Sequence, residues 1–277
     1  MLALGDVRID LLDAGSIRLD GGALFRVVPR PLWEPLLPPD ERNRVRLGLR
    51  PLLIRSGGRT VLVDAGVGPA MHHDARAADR LGLEAGQGLE AGLAAAGVAP
   101  GEVDLVVPTH LHFDHVGGLI GPGGAPRFPR ARVLVQRADL EEARSDCPLC
   151  RASYAPADLG VLEAAGLLAP IDGDAEVAPG VRVEVTGGHT RAHQLVRVAS
   201  GGQTLVCWGD LLPTRAHLQP QWVTGYDLYP VESWRAKARL IPQAAAEGWL
   251  SLLYHEPGAP LGRIAAEGKG WRWEPLA

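Results

Sequence analysis

The segment Thr109–Gly118, THLHFDHVGG, narrows what this chain can become more than any other. Nine histidines are spread over 277 residues, yet three of them and an aspartate, His110, His112, Asp114 and His115, fall within six consecutive positions. In an extended segment alternate side chains share a side. His110 and His112 can therefore hold one ion, while Asp114 and His115, at the start of the next turn, point elsewhere and can serve a second. Gly117 and Gly118 let the backbone pack closely behind the loop. The segment follows a strand-like run over 103–107, apolar apart from Asp104. Loops at the C-terminal ends of buried strands are where α/β folds tend to place their sites.

Two to four ligands do not complete a two-metal site, and further candidates stand at other strand ends. His189 follows the strand-like 181–186, Asp210 follows Cys207-Trp208-Gly209, and His255 follows Leu252-Leu253-Tyr254. Asp64, after Val61-Leu62-Val63, has the same setting. With the HxHxDH loop, His189, Asp210 and His255 make a set of five histidines and two aspartates. Such nitrogen and oxygen donors suit zinc, with iron or manganese as alternatives. His193 reads as a structural or supporting residue, and His72 and His73 as solvent-facing.

Charge excludes some partners. The formal net charge is −4 and no Lys/Arg run appears, so tracking along nucleic-acid phosphates is not expected. The N-terminus MLALGDVRID reads as a first strand, not a signal peptide, and no apolar run approaches the ~18 residues of a membrane span. Three cysteines make no disulfide framework. Cys147-Pro-Leu-Cys150 reads as two ordinary loop thiols, because a structural zinc needs four ligands and only Cys207 remains elsewhere; a redox pair is the alternative. We expect a single domain over 1–277, cytoplasmic, acting on a small molecule without nucleic acid or membrane, with a homodimer left open.

Along the chain, Val7, Ile9 and Leu11 alternate as a strand. Asp20-Gly21-Gly22 reads as a turn before the apolar run Ala23–Val28, and 29–48, rich in Pro and Arg, as a surface excursion around Trp33. A hairpin is expected about Ser56-Gly57-Gly58. Residues 74–97 read as a glycine-interrupted helix stopped at Gly97, 133–135 as a strand and 137–144 as a helix. Strands follow at 181–186, 194–199 and 204–208, a helix near 232–247, a strand at 250–254 and a closing hairpin about Gly268-Lys269-Gly270. SGGRTVLVDAG at 56–66 echoes SGGQTLVCWGD at 200–210, so the chain reads either as two related β-rich halves or as two instances of a common hairpin.

In order and type these residues resemble the metallo-β-lactamase superfamily, from the Asp64 turn to His255. The resemblance implies an α/β fold, a four-layer αββα sandwich. It implies that His110, His112 and His189 bind a first metal, that Asp114, His115 and His255 bind a second, that Asp210 bridges both, and that Asp64 buttresses the loop without ligating. Two divalent ions ~3.5–4 Å apart share a water and lower its pKa to about 7. The bridging hydroxide is then expected to attack a carbonyl, with Asp114 orienting it and carrying a proton.

Within the superfamily, β-lactamases usually have Cys where Asp210 stands. Glyoxalase-type thioesterases carry a C-terminal helical domain, whereas only 22 residues, 256–277, follow His255. The RNA-processing nucleases bring a gripping appendage absent here. GDLLPTRAHLQPQW at 209–222, GYDLYP at 225–230 and RASY at 151–154 resemble the quorum-quenching lactonase branch. That implies ring opening of a lactone such as an N-acyl homoserine lactone, with His217, Trp222 and Tyr226 lining the substrate pocket. Pro213 stands where homoserine lactonases carry a tyrosine, and Tyr226 is the candidate to replace it. Aryl-ester and organophosphate hydrolases sharing the same metal set, and persulfide dioxygenases with one iron, are the alternatives.

Overall fold

The computed structural model describes residues 1–276. Strands β1 (Leu2–Leu4) and β2 (Val7–Leu11) open the chain. β3 (Ser16–Asp20) is followed by short helices α1 (Gly21–Phe25) and α2 (Arg30–Trp33) and then by its partner β4 (Arg44–Gly48). The hairpin β5 (Leu52–Ser56) and β6 (Arg59–Val63) leads through α3 (Pro69–His73), α4 (Ala75–Leu81) and α5 (Leu89–Ala95) to β7 (Leu105–Val107). Next come α6 (Phe113–Val116), β8 (Arg132–Gln136), α7 (Arg137–Ala143), α8 (Pro156–Ala164) and β9 (Leu168–Ile171). β10 (Ala175–Ala178), β11 (Val181–Val185), β12 (Gln194–Ser200) and β13 (Gln203–Cys207) follow. α9 (Pro230–Ala246), β14 (Leu250–Leu252), β15 (Leu261–Glu267) and β16 (Gly270–Pro275) complete the order.

Two seven-stranded sheets result, β1-β2-β5-β6-β7-β8-β9 and β10 to β16 in sequence. Their central strands are apolar at consecutive positions because both faces are covered. Leu52, Ile54, Val61, Val63, Leu105 and Val107 point inward and meet Val183, Val196, Val198, Leu205 and Leu252 of the other sheet. The alternating residues Leu53, Leu62 and Val106 point outward, under Leu89 and Leu93 of α5, Leu140 of α7 and Leu159 of α8. On the opposite outer face, Leu195 and Val206 are covered by Leu240, Ile241 and Ala244 of α9. The expected four layers, αββα, are present.

The echoed hairpins occupy corresponding places, third and fourth in each sheet. Both turn through paired glycines at positive φ, Gly57-Gly58 and Gly201-Gly202. In each, the second strand then pairs in parallel with the next, β6 with β7 and β13 with β14. Parallel pairing aligns the C-terminal ends of those strands, so the loops carrying Asp64, His110, Asp210 and His255 leave the sandwich on one edge.

Several local expectations are corrected. Residues 29–48 are not a surface excursion: Trp33 is 2% exposed and stacks on Phe25 at 4.7 Å, and Val45 and Leu47 bury the inner side of β4. Asp20 starts no turn but caps α1, its Oδ1 accepting from Ala23 N at 2.9 Å. The segment 74–97 divides into α4 and α5, because Gly82 ends the first helix in a left-handed conformation, φ 49°. α8 and β9, which no sequence expectation anticipated, fill the gap between Cys150 and β10. Among the described residues no helix is long and apolar enough to cross a membrane.

α9 also buries a charge. Lys237 is 1% exposed and its Nζ donates to the Trp222 carbonyl at 2.7 Å. Burial pulls its pKa from the ordinary 10.5 down to about 7, with Asp227 opposing. Between those two values the unfolded chain holds a proton that the folded chain has lost, so stability rises with pH there. Relative to Lys237→Met, the wild-type unfolding free energy should climb by about 1.4 kcal/mol per pH unit between pH 7 and 9 in urea titrations. A difference independent of pH would contradict this account of Lys237.

Candidate metal centre

β7 ends at Val107, and the chain bends at Thr109 and His110 before His112, whose extended backbone precedes α6. α6 carries Asp114 and His115. A Cβ on Gly118 would lie 2.0 Å from the Ala65 carbonyl oxygen, so only glycine lets the Asp64 loop lie against this turn. Asp64 itself is left-handed, φ 56°, a conformation that costs a non-glycine residue about 1–2 kcal/mol. Its carboxylate holds it there. Oδ1 accepts from Thr109 N at 2.8 Å and Oδ2 from His115 Nδ1 at 3.0 Å.

The ring nitrogens are oriented in the same manner elsewhere. His189 Nδ1 donates to Asp227 Oδ1 at 2.8 Å, and Asp227 is steadied by Thr224 Oγ1 at 2.8 Å. His255 Nδ1 donates to the Gly48 carbonyl at 2.8 Å. With Nδ1 committed, the Nε2 lone pairs of His115, His189 and His255 turn inward. His110 Nδ1 lies 3.2 Å from Thr109 Oγ1, which leaves its Nε2 for the centre. His112 turns its Nδ1 to His189 Nε2, 3.1 Å away.

The inward atoms form three overlapping groups within 4.8 Å: His110, His112 and His189; His110, His115 and Asp210; and Asp114, His115 and His255. Asp210 Oδ1 lies 3.2 Å from both His115 Nε2 and His255 Nε2, while Oδ2 lies 3.3 Å from His189 Nε2. Asp114 Oδ2 is 3.5 Å from His255 Nε2. Ligands ~2.0–2.1 Å from a tetrahedral ion sit about 3.3–3.4 Å from one another. The spacings fit donors facing common ions. His110 Nε2, His115 Nε2 and Asp210 Oδ1 are buried without a hydrogen-bond partner, a cost of about 1–3 kcal/mol each unless something binds them.

Electrostatics points the same way. Burial, and then crowding by other imidazoles, holds His110 and His112 well below the usual histidine range, so both are neutral donors. Burial opposes charge on His115 and His189, but Asp64 and Asp210 raise the first and Asp210 and Asp227 raise the second. Burial likewise opposes charge on Asp210, yet His255, His115 and His189 hold its carboxyl well below the carboxylate range. Lys237 acts on Asp227, but among the described residues the ion pairs of Asp64, Asp114 and Asp210 are with histidines alone, and these buried carboxylates call for further positive charge.

His193 has no atom left for an ion. Its Nε2 accepts from Asp210 N at 3.1 Å and its Nδ1 meets Thr186 Oγ1 at 2.7 Å, and burial depresses its pKa to about 3. It fixes the backbone from which Asp210 projects. His217 does not line a pocket, contrary to expectation. It is 0% exposed, stacked on Phe25 at 4.8 Å, with its nitrogens on Thr214 Oγ1 at 2.8 Å and the Leu24 carbonyl at 3.2 Å. Trp222 packs edge-on against the same Phe25. Tyr226 is half-buried; burial, with the charge of Asp114 second, raises its phenol to about 12.

Sequence reasoning missed Asp227 and Asp139. Asp139 accepts from Leu111 N, between the two loop histidines, at 2.9 Å, and burial raises its carboxyl to about 6. Position offered some signal for Asp227, inside the GYDLYP segment; for Asp139, on a helix 28 residues downstream, it offered none.

The metallo-beta-lactamase superfamily model matches residues 51–247. An N-acyl homoserine lactonase from a Bacillus species is 33% identical over 118 residues, 40% of this chain and 39% of that protein. The match thus spans about two fifths of that relative's length. The crystal structure of a probable metal-dependent hydrolase from Staphylococcus aureus is 31% identical and superposes with a TM-score of 0.93, covering 100% of this chain and 99% of that one. AidC, a dizinc quorum-quenching lactonase solved with the product of its reaction, shares the fold at a TM-score of 0.82 and 18% identity, over 100% of this chain and 96% of that one. Superfamily members of this kind use divalent metals, and the donor cluster suits them. The chain belongs to the metallo-beta-lactamase superfamily and is one of its hydrolases.

Proposed function

We propose that this hydrolase is dinuclear and opens the ring of a small lactone, with N-acyl homoserine lactones as the first substrate class. The observation that carries the dinuclear reading is Asp210. One carboxylate oxygen faces His189 and the other faces His115 and His255, as a bridging ligand requires. His110, His112 and His189 would hold one ion, and Asp114, His115 and His255 the other. Zinc is favoured by the donor set and by the dizinc lactonase of the same fold. A single-iron oxygenase would need only the first group, and leaves the convergence of Asp114, His115 and His255 unexplained. The lactone reading draws support from the homoserine lactonase similarity.

When bound, such a pair supplies a water acidified toward neutral pH and a Lewis acid for the carbonyl oxygen. The remaining work belongs to side chains. Tyr254 donates to the Asp114 carbonyl at 2.8 Å and fixes that residue, whose carboxylate can orient a water and accept its proton. Tyr226 is close enough to Asp114 to feel its charge and can donate to a substrate oxygen, the part that Pro213 cannot play. Asp64 and Asp227 keep His115 and His189 in the tautomer that presents Nε2.

Purified protein should open N-acyl homoserine lactones, lose that activity to a chelator and regain it with zinc or manganese. Cleavage of aryl esters or phosphotriesters with no lactone turnover would overturn the substrate class. Asp227→Ala should weaken metal retention against a chelator by about 10- to 100-fold, and Asp227→Asn, which keeps an acceptor for His189, by less. Wild-type retention in the alanine variant would contradict the role given to Asp227.

A further inference from the structure

We propose that Cys147 and Cys150 are a redox-active dithiol whose closure to a disulfide is transmitted to the metal loop through Ser153 and Tyr154. The two cysteines were the one chemical motif the hydrolase does not use. Their placement is what a chain would need to use them. Cys150 N donates to the Cys147 carbonyl at 3.4 Å, closing a turn about Pro148-Leu149. Such a turn brings its end Cα atoms within ~7 Å, and disulfides span Cα separations of about 4.4–6.8 Å. The Cys150 thiol already reaches back, 3.4 Å from the same carbonyl.

The partners are unequal in the way an attacking and a resolving thiol are. Cys147 is half-exposed; the Cys150 thiol, and then the amides of Leu149 and Cys150, favour its thiolate. Cys150 is 3% exposed, and burial first, then Cys147, push its thiol up. The third cysteine, Cys207, lies in the core between the sheets, a different layer from Cys150, and burial keeps it protonated.

The oxidant proposed is a peroxide. The Cys147 thiolate attacks one peroxide oxygen, the O–O bond breaks, and the departing hydroxide takes up a proton to leave as water. The Cys150 sulfur, giving up its proton, then attacks the Cys147 sulfenic acid, and the S–O bond breaks to release a second water. In sum two thiols and hydrogen peroxide become one disulfide and two waters: the sulfurs lose two electrons and the peroxide gains them.

The route to the metal loop is short. Ser153 N donates to the Cys150 carbonyl at 2.9 Å, and the Ser153 carbonyl accepts from Phe113 N, between His112 and Asp114, at 2.8 Å. Tyr154 pairs with His112 as a β-bridge, and its ring stands edge-on to that imidazole at 4.9 Å. The Tyr154 hydroxyl donates to Glu142 Oε2 at 3.1 Å, and the same carboxylate accepts from Arg191 N at 2.8 Å, next to the His189 turn. Tightening the 147–150 turn therefore pulls on the backbone flanking His112.

The test treats reduced, metal-loaded protein with hydrogen peroxide near stoichiometric amount and reads the tryptic peptide Ser145–Arg151, which holds both cysteines. The peptide should become lighter by two hydrogen atoms and return to its first mass with dithiothreitol, while Cys207 stays a free thiol. In Cys150→Ser, Cys147 should accumulate as a sulfenic acid trapped by dimedone. An unshifted peptide with both thiols still alkylatable, or oxidation that stops at sulfinic acid in the wild type, would overturn the dithiol. Transmission rests on the metal-centre reading above. Release of metal to a chelator should differ at least about threefold between oxidised and reduced wild type, and not at all in Cys147→Ser. Equal release from both wild-type forms would overturn the transmission. Failure of the metal-centre reading would be distinct, because then there would be no bound metal to release, whereas the peptide mass reports on the dithiol alone.

Discussion

Burial of carboxylates against imidazoles is the constraint on which the rest of this structure depends. Asp64, Asp114, Asp210 and Asp227 are taken almost wholly out of water at one edge of the sandwich. Desolvating a carboxylate costs several kcal/mol even after relaxation, and hydrogen bonds from histidine Nδ1 atoms offset only part of it. What remains is an excess of inward lone pairs whose spacings match the edges of a metal coordination shell. The raised basicity of His115 and His189 and the lowered pKa of Asp210 express the same imbalance: in a chain without a metal, protons on the imidazoles would take up the charge the carboxylates call for.

The sandwich exists in a form that can pay this cost. Two sheets of like order place a parallel pair at corresponding positions, and parallel pairing sends consecutive strand ends out on one side. Five segments from different parts of the chain then converge there. Rigidity comes from behind the donors. Thr109 and Asp64 lock the HxHxDH turn, the Gly48 carbonyl locks His255, and His193 locks the backbone at Asp210. His115, His189, His255 and Asp210 are each aimed by a group distant in sequence, which is why the centre depends on the whole fold and not on one motif.

Much of this was legible in the sequence, for local reasons. HxHxDH behind an apolar strand, and single His or Asp residues directly after others, are patterns whose meaning is carried by neighbouring residues. The central strands were legible because continuous apolar runs of four to six residues have few other uses. What was missed depends on contacts distant in sequence. Asp227 acts on a histidine 38 positions away and Asp139 on the backbone of Leu111, 28 positions away, and the support for His255 is a backbone carbonyl, which no side-chain pattern marks. His217 was misread because its role is set by a stack on Phe25, nearly two hundred residues earlier. The segment 29–48 was misread for composition: its prolines and arginines suggested solvent, although Val45 and Leu47 alternate with Arg44 and Arg46 as a half-buried strand does.

The most direct measurement is the number of metal ions per chain, by elemental analysis of protein purified without added metal and again after stripping and reloading. Two divalent ions per chain, falling to about one or fewer in Asp210→Ala, is the result this account predicts. A stoichiometry of one in the wild type that survives loss of Asp210 would contradict it.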